Sequence, residues 1–146
     1  MVRLTVLLLA MEGVALACQS RTIPDLVDIP LPPGTRSHLG TPINTITCHV
    51  SMAKPLAAAF QCIALHDSNL IRTVNGCYCY RNIRDTDRLS DHAHGTAIDI
   101  NAHGNGYGEQ PTQNPIITWC MKQAGFLWGG DWSTPDGMHY YLRRDK

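Results

Sequence analysis

No charge of either sign predominates in this chain: 12 Lys+Arg stand against 12 Asp+Glu, and charged residues occupy 16% of its 146 positions. A nucleic-acid binder carries a basic patch or stripe, and the even balance removes that footprint, so nucleic acid is not expected as a partner. No apolar run approaches the ~20 residues needed to cross a bilayer, which argues against a transmembrane segment. No internal repeat or low-complexity tract appears, so solenoids and arrays drop out. Cysteine is sparse too, six residues or about 4%, against the ~8–10% of folds held mainly by disulfides. What is present is apolar material, 44% of the chain. It suffices for the core of one domain of ordinary size, expected to act as a monomer.

The amino terminus is read apart from the fold. Arg3 followed by Leu4 to Met11 has the form of a charged n-region and an apolar h-region, and Ala15-Leu16-Ala17 supplies the small residues a signal peptidase reads. Residues 1–17 are therefore expected to be a signal peptide, placing the protein in the periplasm or outside the cell. The alternative is an ordinary N-terminal strand or helix of a mature protein that stays in the cytoplasm. Cleavage after Ala17 leaves Cys18 first, but Ala15 and Leu16 fit a lipobox poorly. Residues 18–45, punctuated by Pro24, Pro30, Pro32, Pro33, Gly34, Gly40 and Pro42, read as a lead-in segment with no sustained period. The domain proper is expected over 46–146.

Within it, Pro55 suits a first helical turn, and Leu56, Phe60, Ile63 and Ala64 share one face of a helix running from Lys54 or Pro55 to His66. A second helix runs from Pro115 to Ala124, with Asn114 as N-cap and Gly125 in the left-handed position beyond its end. Leu70 to Val74, Tyr78 to Arg81, Thr96 to Ile100 and Met138 to Leu142 read as short strands. Helices and strands in separate runs predict an α+β fold with a small, largely antiparallel sheet.

The chemistry concentrates late in the chain. In Ser90-Asp91-His92-Ala93-His94-Gly95-Thr96-Ala97-Ile98-Asp99, Gly95 can turn the backbone between an imidazole and a carboxylate. On a strand from Thr96 to Ile100, Ile98 and Ile100 point to one face while Ala97 and Asp99 share the other. Asp136-Gly137-Met138-His139 then places a carboxylate three residues before a histidine. Two histidines and one aspartate make a three-ligand set, the usual complement of a catalytic zinc with an open position. Asp136 is left over to take a proton.

The run Ser90, His92, Gly95, Ala97, Asp99 resembles the Ser-x-His-x-x-Gly-x-Ala-x-Asp signature of the D-alanyl-D-alanine carboxypeptidase and L-alanyl-D-glutamate endopeptidase family of zinc peptidases. Gly125 to Trp132 followed by Asp136 and His139 is similar to that family's C-terminal motif, especially in its phage-lysin and cell-wall endopeptidase branch. Tyr78-Cys79-Tyr80-Arg81 resembles the segment bearing the family's active-site arginine. The likeness spans roughly Leu56 to Tyr141. It implies a single zinc in a cleft, held by His92, Asp99 and His139. It also implies Asp136 as general base and Arg81 steadying the oxyanion, with Arg84 and Arg88 as the competing arginines.

Other residues have blander readings. His94 reads as a cleft or surface residue, His103 as part of a glycine-rich loop, and Ser90 as a hydroxyl bonded to backbone or to a ligand. Asp131 reads as a turn residue. Trp128, Trp132 and Tyr140 read by default as core, with a partly exposed cleft wall beside His139 as the equal alternative. Cys77 and Cys79 alternate along one strand face and do not bond each other easily; the pairing of the six cysteines stays open. The spacings match no paired Cys-x-x-Cys zinc site. The resemblance thus implies a zinc-dependent peptidase of peptidoglycan stem peptides, acting at an L-Ala to D-Glu bond or as a D,D-carboxypeptidase. The alternative is a non-catalytic zinc-binding module of the same fold, as in the hedgehog signalling domain.

Overall fold

A computed structural model describes residues 17–144. The expected signal segment lies outside the described residues except for Ala17. Two helices and two antiparallel sheets form an α+β fold. Strands β1 (Leu26–Pro30) and β2 (Thr45–His49) pair from Leu26 opposite His49 to Pro30 opposite Thr45. Helix α1 (Ala53–His66) follows. The second sheet contains β3 (Val74–Gly76), β4 (Ala97–Ile100), β5 (Leu127–Trp128) and β6 (His139–Tyr141), in the order β3-β4-β6-β5. Helix α2 (Pro115–Gln123) runs between β4 and β5.

The expected helices form for the expected reasons. The Asn114 side chain accepts the Ile116 amide at 2.8 Å, Pro115 opens α2, and Gly125 leaves it at φ +99°. The buried face of α1 is Leu56, Ala59, Phe60 and Ile63. Ala64, expected on that face, is exposed; Ala59 occupies the inward position one turn earlier. Ile98 and Ile100 of β4, Tyr140 of β6, Met52, and Ile117, Cys120 and Met121 of α2 join the face of α1 in one core.

Three expectations need correction. The lead-in segment contains β1, and Ile29 and Leu31 from it are buried in the core. Of Leu70 to Val74 only Val74 is strand. Tyr78 to Arg81 forms no regular strand: its pairings are isolated bridges from Tyr80 to Gln19 and, just beyond it, from Asn82 to Leu89.

All six cysteines are paired, as Cys18–Cys79, Cys48–Cys77 and Cys62–Cys120. The sulfur of Cys18 is thus engaged and not free to carry a lipid. Three disulfides fit an oxidising compartment. Among the described residues no helix is long and apolar enough to cross a membrane.

The return from β4 is fixed by a buried amide. Asn101 sits at φ +50°; its side-chain oxygen accepts the Arg72 and Thr73 amides at 2.9 and 3.1 Å, and its nitrogen donates to the Leu70 carbonyl at 2.8 Å. Asn101→Ala leaves two amides without an acceptor and retains an unfavourable φ. It is expected to cost about 2–4 kcal/mol, measured by denaturant unfolding against wild type.

Candidate metal centre

Each side chain of the His/Asp set is positioned by a separate local device. Ser90 caps a short 3-10 turn, Asp91–His94, its hydroxyl accepting the His92 amide at 3.3 Å. Gly95 ends the turn at φ +67°, and a Cβ there would stand 2.7 Å from the His49 amide nitrogen. The Ser-x-His-x-x-Gly spacing therefore encodes one capped turn whose exit only glycine tolerates. The Nδ1–H of His92 donates to the Cys77 carbonyl at 2.8 Å, which leaves Nε2 as the free nitrogen.

Asp99 and His139 are brought together by sheet register. They are directly opposite one another on β4 and β6, so residues 40 apart in sequence become a cross-strand pair. Asp99 Oδ1 lies 3.2 Å from His139 Nδ1 and 3.2 Å from His92 Nε2. One ligand atom from each residue falls within 4.8 Å of the other two. His92 Nε2 is buried and has no hydrogen-bond partner despite its closeness to Asp99. Two imidazole nitrogens and a carboxylate oxygen, one of them a buried orphan, fit a divalent transition-metal ion.

Asp136 enters the same cleft from the turn before β6. Its amide donates to the Gly129 carbonyl at 3.0 Å, and its own carbonyl accepts the His139 amide at 3.2 Å. A Cβ on Gly129 would lie 2.7 Å from the Asp136 carbonyl oxygen, so glycine is required for this approach. Asp136 Oδ1 is also buried without a partner.

The cleft has a volume of about 640 Å³. Arg81 and Arg84 line it, as do Tyr107 and Trp132; Arg88 does not. Arg81 is half-buried, whereas Arg84 is exposed. Trp132 is 39% exposed and tilts over His139 at 5.3 Å between ring centroids. Tyr140 is core, its hydroxyl bonded to Thr118, and Trp128 stacks on it. Of the three aromatics only Trp132 therefore lines the cleft. Asp131 pairs with Lys122 at 2.7 Å, away from the cleft lining. His94 is half-buried and His103 is exposed in a turn. The glycine-rich loop consumes its own polar groups: Asn105 donates to the Asn101 carbonyl and accepts the Thr112 amide. Tyr107, now in the cleft wall, had no signal in sequence beyond its place in that loop. The Cys77 carbonyl that orients His92 could not be seen there either.

The two carboxylates are driven in opposite directions. Burial alone would raise Asp99, but the His92 charge and the hydrogen bond from His139 outweigh it and hold its pKa well below the usual range. Burial pushes Asp136 up to about 6, assisted by the Asp99 charge and opposed by His139, His92 and Arg81. Burial pulls His92 down, yet the nearby Asp99 charge and the bond to Cys77 leave it raised overall.

Residues 84–142 match a family model described as D-alanyl-D-alanine carboxypeptidase. This stretch of the chain is similar to that peptidase family. The family segment contains His92, Asp99, Asp136 and His139, while Arg81 lies three residues ahead of it. No curated protein and no solved structure matches the chain. A second group with metal-binding geometry, Cys62, His66 and Cys120, lies outside the cleft, but its two sulfurs are joined to each other.

Metal-free protein is expected to take up one equivalent of Zn2+, with affinity falling as pH drops through the raised pKa of His92, which must shed its proton to bind. Calorimetric titration checks this. His92→Ala and Asp99→Ala should abolish uptake, whereas Cys62→Ser/Cys120→Ser should retain it.

Proposed function

We propose that the chain is a zinc-dependent peptidase that hydrolyses peptidoglycan stem peptides, acting foremost at the L-Ala to D-Glu bond and secondly as a D,D-carboxypeptidase. It acts as a monomer and is exported by residues 1–17. The observation that carries this reading is the convergence of His92, Asp99 and His139 on one point, with an unpartnered Asp136 carboxylate in the same cleft. A complete ligand set could serve a purely structural ion. A half-buried carboxyl with no bonding partner beside it has no structural use and favours catalysis.

Zinc held by His92, Asp99 and His139 would supply Lewis acidity toward the scissile carbonyl and lower the pKa of water. The remaining work belongs to the chain. With a pKa near 6, Asp136 is mostly ionised at neutral pH yet basic enough to take a proton from the attacking water and return it to the leaving amine. Its neighbour Asp99, held ionised by two imidazoles, does not compete for that proton. Arg81, half-buried on the cleft wall, offers fixed positive charge to the oxygen that becomes negative. Trp132 and Tyr107 give the stem peptide an aromatic border to lie against.

Incubation of the zinc-loaded protein with purified stem peptides, followed by mass spectrometry, tests the activity and identifies the bond. Release of the L-Ala end is the expected product pattern; intact peptides at any enzyme concentration would refute the reading. Asp136→Asn should lower kcat by ~10²–10⁴ with zinc content unchanged, because general acid–base assistance is lost while the ligands stay.

The same substitution has an opposite effect on the metal-free protein. A carboxyl whose folded pKa lies above its unfolded value loses stability as pH rises from about 4, where the unfolded chain ionises, to about 6, where the folded one does. Metal-free Asp136→Asn should therefore melt above metal-free wild type at pH 7, and the gap should close at pH 4. Thermal melts at the two pH values read this directly.

A further inference from the structure

The run from Cys77 to Arg81 is not a sheet strand, yet Arg81 must be held in a defined register to face the cleft. At its start the run is tied by the Cys48–Cys77 disulfide and by the Cys77 carbonyl that takes His92. The Tyr78 amide donates to the Thr47 carbonyl at 2.9 Å, the Cys79 amide to the His92 carbonyl at 3.0 Å, and the Ser90 amide to the Arg81 carbonyl at 3.1 Å. Residues 18–21 add a further set of contacts to the run. The Gln19 amide donates to the Tyr80 carbonyl at 2.8 Å. The Arg21 guanidinium donates to the Tyr80 hydroxyl at 2.9 Å and lies 4.7 Å over its ring, and the Tyr78 hydroxyl donates to the Arg21 carbonyl. The Cys18–Cys79 disulfide closes this arrangement across 61 residues.

We infer that residues 18–21, fastened by the Cys18–Cys79 disulfide, act as a splint that positions Arg81 for catalysis. This rests on the role of Arg81 in the function proposed above. The hydrogen bonds and the cation–π contact of the splint are exposed, and such contacts hold a chain end only loosely. The covalent link makes them persist. Positioning is where a small loss has a large effect, since a misplacement of about 1 Å can lower a rate ~10²-fold, and a slip of one residue in an extended run turns a side chain to the opposite face. The splint also explains why the arginine precedes the family segment yet belongs to the same cleft: a second stretch of this chain, outside that segment, fixes it.

The test is a double-mutant cycle on the zinc-loaded enzyme, with stem peptide as substrate. Cys18→Ser/Cys79→Ser should lower kcat about tenfold, change KM little, leave zinc content unchanged, and speed amide exchange at Tyr80 to Asn82. Arg81→Ala should cost more, and adding the serine pair to it should cost nothing further. An additive loss, or a loss of zinc through His92, would overturn the splint by showing a general structural effect. Wild-type kcat in the serine pair, beside an impaired Arg81→Ala, would overturn it as well. Wild-type activity in Arg81→Ala itself would refute the arginine's role instead. Should the serine pair fail to fold, Gln19→Pro removes only the hydrogen bond to Tyr80; it should give a smaller fall in kcat with the same non-additivity, and wild-type kcat there would overturn the proposal.

Discussion

A single carboxylate oxygen, Asp99 Oδ1, stands 3.2 Å from a nitrogen of each of two buried histidines, and much of the structure is arranged around that contact. A buried charge is costly unless paired, so Asp99 requires positive charge on both sides. The metal-free protein supplies it by raising His92; a bound cation would supply it better. The β4–β6 register sets Asp99 opposite His139. The capped turn ending at Gly95 swings His92 into the same space, and the Cys77 carbonyl fixes which of its nitrogens points inward.

The second carboxylate is the counterpart of the first. Asp136 reaches the cleft on a turn that Gly129 alone allows to pass so close, and it arrives without a partner. Two carboxyl groups in one cleft would ordinarily repel and share their protons. Here the imidazoles satisfy one of them, and the other keeps no partner. That division follows from placement, because Asp99 touches both rings while Asp136 meets chiefly desolvation.

Features with short-range causes could be read from sequence. Asn114, Pro115 and Gly125 delimit α2 through capping chemistry within a few residues, and the Ser90 to Gly95 spacing is one turn. Ile98 and Ile100 alternate with Asp99 as a strand requires. What depended on distant partners was hidden. β1 is a five-residue strand among prolines whose partner begins 15 positions after its end. Ala64 and Ala59 are both small apolar residues, and only the packing of α1 decides between them. Two of the three cysteine pairs, and the segment that braces Arg81, join parts of the chain some 60 residues apart; no local pattern records such a choice.

The central claim is that His92, Asp99 and His139 hold the metal. X-ray absorption at the zinc edge of the loaded protein tests it most directly. Two imidazole nitrogens and carboxylate or water oxygens at about 2.0–2.2 Å, with no sulfur shell, is the expected spectrum. A shell of sulfur near about 2.3 Å would place the ion at Cys62 and Cys120 and contradict the assignment.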